Sequence, residues 1–206
     1  MYTFLGFAIQ RSQSAVIPNS KQFQRADRIL TRGNVRLDSK RYAVWWALTH
    51  SKGDPFGRRK GKDGKDWTVT AGCRAAKHPI DPVALYLEYC RLMGFSLDPA
   101  SKKYKQQQHL PFFQELDRNG KATGKALSYN SLLAALKKDI DDFFPDIDSK
   151  FIGTHSFRRF GATFCKCKGI PDDIIQFMGR WVSQCFQRYF MFSDDDKAEM
   201  SRYLVS

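Results

Sequence analysis

From Ser128 onward the chain is a succession of amphipathic helical segments cut by Pro145, Gly169 and Gly179, whereas period-two alternation is confined to one early stretch. The later segments read as helices over 128–143, with Ser128 or Asn130 as the cap, then 154–168, 171–178 and 183–192, with a weaker one over 194–204. Upstream, Val35 and Leu37, then Tyr42, Val44, Trp45, Trp46 and Leu48, alternate as strands do, and Trp67–Thr70 would return beside them. The residues between Thr49 and Trp67 are rich in Gly and charge and read as a loop or hairpin tip. A further helix runs from Asp81-Pro82 to about Met93 and stops at Gly94; 95–109 reads as loop, Pro111–Phe113 as a short strand, and Asn119-Gly120 as a turn. The pattern predicts a mainly α fold with a small antiparallel β-sheet (α+β).

With 206 residues and 42% hydrophobic content, including 17 Phe and 4 Trp, the chain suffices for a single domain with a substantial core. The 34 Lys and Arg against 21 Asp and Glu leave a net charge of +13, a surplus that suits a polyanion partner. Residues 2–17 read as one apolar helix ending before Pro18; it has no basic leader and is too short to span a bilayer, so no membrane role is expected. A chain that opens inside a core helix is expected to be a fragment lacking its first helix and a region upstream. Five cysteines (73, 90, 165, 167 and 185) show no C-x-x-C spacing and read as reduced, intracellular thiols without a metal. The acidic set Asp139, Asp141, Asp142, Asp146 and Asp148 is irregularly spaced and reads as a solvated helix end.

The chemistry-bearing residues lie in the last third. His155 and Arg158, three apart at a helix start, share a face and can converge on one anion, which the helix end also favours. Arg158 offers a planar fork of donors to phosphate oxygens. Trp181, after Gly179-Arg180, carries an indole N–H that only donates, and Tyr189 follows eight residues later with a phenol whose ordinary pKa is about 10. Taken singly, each is better explained as structure: a capped helix with a surface Arg, a core aromatic, an ordinary helix residue. Taken together they could hold a DNA phosphate and attack it.

In this order the residues resemble the catalytic domain of tyrosine recombinases, which carries His-x-x-Arg at a helix start, a His or Trp after a Gly, and a Tyr one short helix later. The wording GTHSFRRFGAT…GI…MGRW…RY looks like the recombinases of Crypton and DIRS-like eukaryotic mobile elements. LTRG at 30–33 and THSKGDPFG at 49–57 extend the likeness over nearly the whole chain, the latter resembling a β-hairpin that bears a catalytic Lys. The resemblance implies an integrase-like catalytic-core fold acting on double-stranded DNA as a tetramer on paired sites, without metal, ATP or a small-molecule substrate. It would be nuclear in a eukaryote. Tyr189 would attack the phosphate, leaving a 3′-phosphotyrosyl bond and a free 5′-hydroxyl. Arg158, His155 and Trp181 would bind the phosphate, and Lys52 would protonate the departing oxygen. Lys60, Lys62 and Lys65 share the loop with Lys52. Arg32, Arg58, Arg59 and Lys60 are expected on the DNA backbone.

The resembled family places its first Arg near the end of the opening helix. Counting back from Pro18 puts Ser12 in that slot, with Arg11 one residue upstream, and one step turns a helical side chain by about 100°. Either Arg11 is presented by a shift of the helix end or one phosphate clamp is missing. The alternative is therefore a catalytically decayed or domesticated DNA-binding descendant. A third reading is an interaction domain whose basic face is incidental. Type IB topoisomerases share the chemistry, but the wording is closer to the recombinases.

Overall fold

The apolar residues on one face of the early strands need a partner layer, and a helix supplies it. The computed structural model describes residues 5–6, 16, 29–48, 66–72, 80–181 and 183–189, with the backbone alone for Asp66 and Tyr189. Strands β1 (Val35–Asp38), β2 (Ala43–Leu48) and β3 (Asp66–Ala71) form an antiparallel sheet in the order β1-β2-β3, as the alternation predicts. Val35 pairs with Trp46 and Trp46 with Thr68, so the aromatic sits mid-sheet. Its indole N–H donates to Thr70 Oγ1 at 3.0 Å, satisfying a polar group inside the core.

Helix α1 (Pro82–Leu92) starts where Asp81 accepts from the Val83 and Ala84 amides at 2.9 and 2.8 Å, with Pro82 at its first position. It ends at Gly94, in the left-handed region at φ +63°. It packs on β2 and β3 and buries Val83, Tyr86 and Cys90 there. Beyond it, Trp46, Tyr86, Phe95, Phe112 and Phe113 form an aromatic cluster, with the Tyr89 hydroxyl donating to the Phe112 carbonyl at 2.7 Å.

The expected loop over 95–109 contains α2 (Lys102–Gln107), capped by Ser101 accepting from the Tyr104 amide at 3.1 Å. Its sequence KKYKQQ buries nothing fully and so carries no apolar stripe to reveal it. The strand expected at Pro111–Phe113 lies three residues later, as β4 (Gln114–Leu116) paired with β5 (Ala122–Ala126). Phe112 and Phe113 are instead core residues, and β5, with the sequence ATGKA, has no alternation by which to recognise it.

Helix α3 (Tyr129–Phe143) takes Ser128 as its cap and buries Leu132 and Leu136. Then come α4 (His155–Cys167), α5 (Asp172–Gly179) and a 3-10 helix, Gln184–Tyr189, within the helix expected over 183–192, of which 190–192 lie outside the described residues. The last is pinned by buried Phe186 and winds more tightly, at about three residues per turn. Of the expected opening helix, Leu5 and Gly6 are helical and Leu5 and Val16 are buried; the rest of it, and the segment 194–204, lie outside the described residues. Among the described residues no helix is long and apolar enough to cross a membrane.

Two cores result. The larger holds the sheet, α1 and the aromatic cluster; the smaller is built on Ala162, Ile175, Trp181 and Phe186. Helix α4 joins them, since Phe157 packs against the first and Ala162 belongs to the second. Replacing Trp46 by Ala is expected to cost about 3–5 kcal/mol. Thr70→Val, which strands the indole N–H, should cost about 1–3 kcal/mol. Both should appear as lower urea midpoints with unchanged slopes.

Candidate functional site

Helix α4 begins with an end suited to an anion. Its first turn holds no acidic residue, and Thr154 makes no side-chain capping bond. His155 occupies the first helical position and is exposed. One turn on, Arg158 points inward and is only 2% exposed. A buried guanidinium is costly unless its charge and donors are engaged. Here Nη2 donates to the Gly179 carbonyl at 2.5 Å, and Cζ lies 3.9 Å from the centroid of the Trp181 ring.

The turn that supplies both partners follows from how α5 ends. The Trp181 amide donates to Gln176 O at 3.1 Å and the Arg180 amide to Phe177 O at 3.0 Å, the two bonds of a Schellman cap. Gln176 Nε2 also donates to Trp181 O at 3.2 Å. The cap reverses the chain so that the Gly179 carbonyl and the Trp181 indole meet Arg158 from one three-residue segment. Trp181 is 4% exposed and packs on Phe186, ring centroids 5.7 Å apart, as part of the smaller core. Only glycine fits at 179: a Cβ there would lie 1.7 Å from Trp181 Cζ3.

The residue in the left-handed position is Arg180, not Gly179, with φ 58° and ψ 39°. The sequence marks Gly179 as the helix stop, yet it is the last helical residue and its role is to leave room for the indole. The left-handed conformation costs a non-glycine residue roughly 1–2 kcal/mol. Arg180 is also 8% exposed.

Of the predicted site residues, the structure brings Arg158 and Trp181 into contact and places His155 one turn from Arg158 on the same helix. Position 189 ends the 3-10 helix that packs on α4 and α5, one turn after Phe186; the Tyr189 side chain lies outside the description. So do Arg11, Lys52, Arg58, Arg59 and Lys60. Arg32 corrects an expectation. It is 1% exposed, its Nη1 and Nη2 donate to Val35 O at 2.5 Å and Ser96 O at 2.7 Å, and its Cζ lies 4.6 Å from the Tyr104 ring centroid. It ties the start of β1 to α2 and offers no surface to a duplex.

Among the described residues no group of three or more His, Cys, Asp or Glu could hold a metal ion. Cys90, Cys165, Cys167 and Cys185 are free thiols. Burial pushes the Cys165 thiol, packed against the smaller core, above its ordinary value, so it stays protonated at neutral pH and is a poor nucleophile.

No protein-family model matches the chain, and no curated relative matches it in sequence. Its fold has solved counterparts. The XerH site-specific recombinase bound to difH substrate, in a pre-cleavage complex, superimposes with a TM-score of 0.55 at 15% identity, over 96% of this chain and 43% of that one. Its post-cleavage complex with a palindromic difH substrate also gives 0.55 at 15% identity, over 100% and 44%. The Tn1549 transposon integrase in complex with circular intermediate DNA aligns at 0.44 and 11% identity, over 100% and 58%. The chain therefore spans less than half the length of XerH, and its fold is that of a tyrosine recombinase catalytic domain.

Gly179→Ala is expected to expel the indole from its seat, destabilising the protein by about 1–3 kcal/mol and altering the near-ultraviolet dichroism of Trp181. Arg32→Ala should cost about 3 kcal/mol, on the scale of two hydrogen bonds from a charged donor, read as a lowered urea midpoint.

Proposed function

We propose that the chain is the strand-cleaving and rejoining domain of a site-specific DNA recombinase, resembling those of Crypton and DIRS-like mobile elements. The observation that carries this reading is the seating of Arg158 between the Gly179 carbonyl and the Trp181 ring, beside the acid-free start of α4, on a recombinase fold. A phosphate brought to that helix end would meet His155, the Arg158 fork and the indole of Trp181 together.

In this reading Tyr189 Oη attacks the scissile phosphorus as its proton is lost, and the P–O5′ bond breaks in line. The leaving 5′-oxygen takes a proton from Lys52 or a neighbouring lysine of its loop, so one proton is released and one consumed. Arg158 neutralises charge on the non-bridging oxygens, with Arg11 or a shifted equivalent as second clamp. The phosphotyrosyl bond conserves the energy of the phosphodiester, so attack by another 5′-hydroxyl rejoins DNA without a cofactor. The partner is double-stranded DNA, engaged as a tetramer on paired sites.

One observation favours a second reading. Ser12 occupies the slot where an Arg is expected, which suits a descendant that binds DNA without cutting it.

A nicked duplex, enriched from a random-sequence library by binding, separates the two. The wild-type protein should form a covalent protein–DNA adduct, Tyr189→Phe should form none, and Arg158→Ala should slow the step about 10²–10³-fold. Absence of a wild-type adduct on bound sites removes the enzyme reading. Appearance of one only in Ser12→Arg establishes the decayed descendant.

A further inference from the structure

We infer that the outward face of the β1-β2-β3 sheet is a stacking platform for unpaired nucleotides, with the Arg36 guanidinium as its contact surface. The inference rests on the reading of the chain as a strand-cleaving and rejoining domain. It gives the strand that cleavage frees a place to be held.

The first observation is which residues the strands turn away from the core. Val35, Val44 and Trp46 belong to the larger core, and Thr70 accepts the Trp46 indole bond there. Strand alternation therefore sends Arg36, Trp45, Ala47, Trp67 and Val69 to the opposite side. The register sets Arg36 beside Trp45, Trp45 beside Val69, and Ala47 beside Trp67. A sheet face turned from the core ordinarily carries polar side chains. This one carries two half-buried indoles and Val69, which is 37% exposed.

The second observation is how Arg36 is held. The residue is exposed, yet its side chain reaches across β2 to lie over both indoles: Cζ is 4.2 Å from the Trp67 ring centroid and 5.8 Å from that of Trp45. The acid of the same face, Asp38, is engaged by Arg41 at 2.8 Å, and no ion pair among the described residues includes Arg36. A planar cation laid on rings spends one side on that contact. Its other side and its N–H edge suit a nucleobase and the phosphate beside it. The rings fix the guanidinium beforehand, which lowers the cost of ordering it on binding. A positive charge with no carboxylate opposite it selects a polyanion as the occupant.

The third observation is where the face lies. Strands β2 and β3 are joined by residues 49–65, which include Lys52, and Trp67 is next to the register pair adjoining that connection, Leu48 with Asp66. With Lys52 as the donor to the departing 5′-oxygen, the strand bearing the new 5′-hydroxyl is released at that end of the sheet. It has to part from its complement to reach another phosphotyrosyl bond. Its unpaired bases then gain from stacking on a planar cation whatever their sequence.

The test is fluorescence anisotropy with a short labelled oligothymidylate and with a duplex of equal length, alongside thermal unfolding. Arg36→Ala is expected to weaken binding of the oligothymidylate by about 5–100-fold and of the duplex by at most about twofold. Arg36→Lys keeps the charge without the plane, so it should retain the salt dependence but not the affinity. Val69→Glu leaves Arg36 on its rings and adds an acid to the face. It too should weaken the oligothymidylate, whereas Val69→Lys should not. Equal losses for oligothymidylate and duplex in Arg36→Ala overturn the inference, as does full affinity in Arg36→Lys or a wild-type protein that binds no oligothymidylate. If Arg36→Ala lowers the unfolding temperature, Val69→Glu decides: wild-type affinity for the oligothymidylate in that variant overturns the inference. Loss of self-association in place of oligothymidylate binding, seen by sedimentation of Val69→Glu, assigns the face to a second copy and overturns it as well. Failure of the enzyme reading looks different, because the nicked duplex then gives no wild-type adduct whatever the oligothymidylate titrations give.

Discussion

The contact between Arg158 and the 179–181 turn is the constraint on which the rest of the site depends. It needs three things at once: a helix carrying Arg158 inward, a cap that reverses the chain after α5, and a residue at 179 with no side chain. Helix α4 meets the first by packing Phe157 into the larger core and Ala162 into the smaller, which fixes its rotation. The Schellman bonds meet the second. The third is absolute, since the space a Cβ would take at 179 is filled by the indole.

The two deeply buried arginines outside the cap show how one chemistry can serve different ends. Arg32 and Arg158 both give N–H groups to backbone carbonyls and both lie over aromatic rings. Arg32 does so inside the larger core, joining the start of β1 to the segment around Ser96 and Tyr104, where a phosphate cannot approach. Arg158 sits one turn from the exposed His155, at a helix start. What separates a structural arginine from a candidate ligand-binding one here is the neighbourhood, and in particular the nearest helix end, not the burial or the partner atoms.

That distinction marks what was legible in the sequence. The strands β1–β3, helix α1 with its Asp81 cap and Gly94 stop, and helices α3 to α5 could be read because their apolar residues repeat with the right period and their ends carry local chemistry. Helix α2 and strand β5 could not, since neither has a periodic apolar face; pairing and a single Ser101 cap create them. For the site, the His155–Arg158 spacing and the aromatic at 181 were visible. The fate of Arg32 was not, because nothing in LTRG says that Ser96 O and Tyr104 will close over it. Nor could sequence say that Arg180, rather than Gly179, takes the left-handed position. A glycine before a turn is ordinarily read as the flexible residue, and here it is needed for its missing Cβ instead.

The same turn shows how Trp181 can support a buried arginine without occupying its donors. A hydrogen-bond acceptor that holds a guanidinium competes with the ligand for N–H groups, whereas the face of an aromatic ring attracts the cation without requiring an acceptor atom. Of the five N–H groups on Arg158, the Gly179 carbonyl engages Nη2. Exchanging a neutral carbonyl for a phosphate oxygen replaces an ordinary hydrogen bond with a charge-assisted one, roughly twice as strong, while the indole keeps the side chain in place. The smaller core thereby orients the cation ahead of any ligand. Since Phe186, one 3-10 turn before position 189, packs on the same indole, the segment bearing the candidate nucleophile is anchored to the group that orients the candidate phosphate ligand.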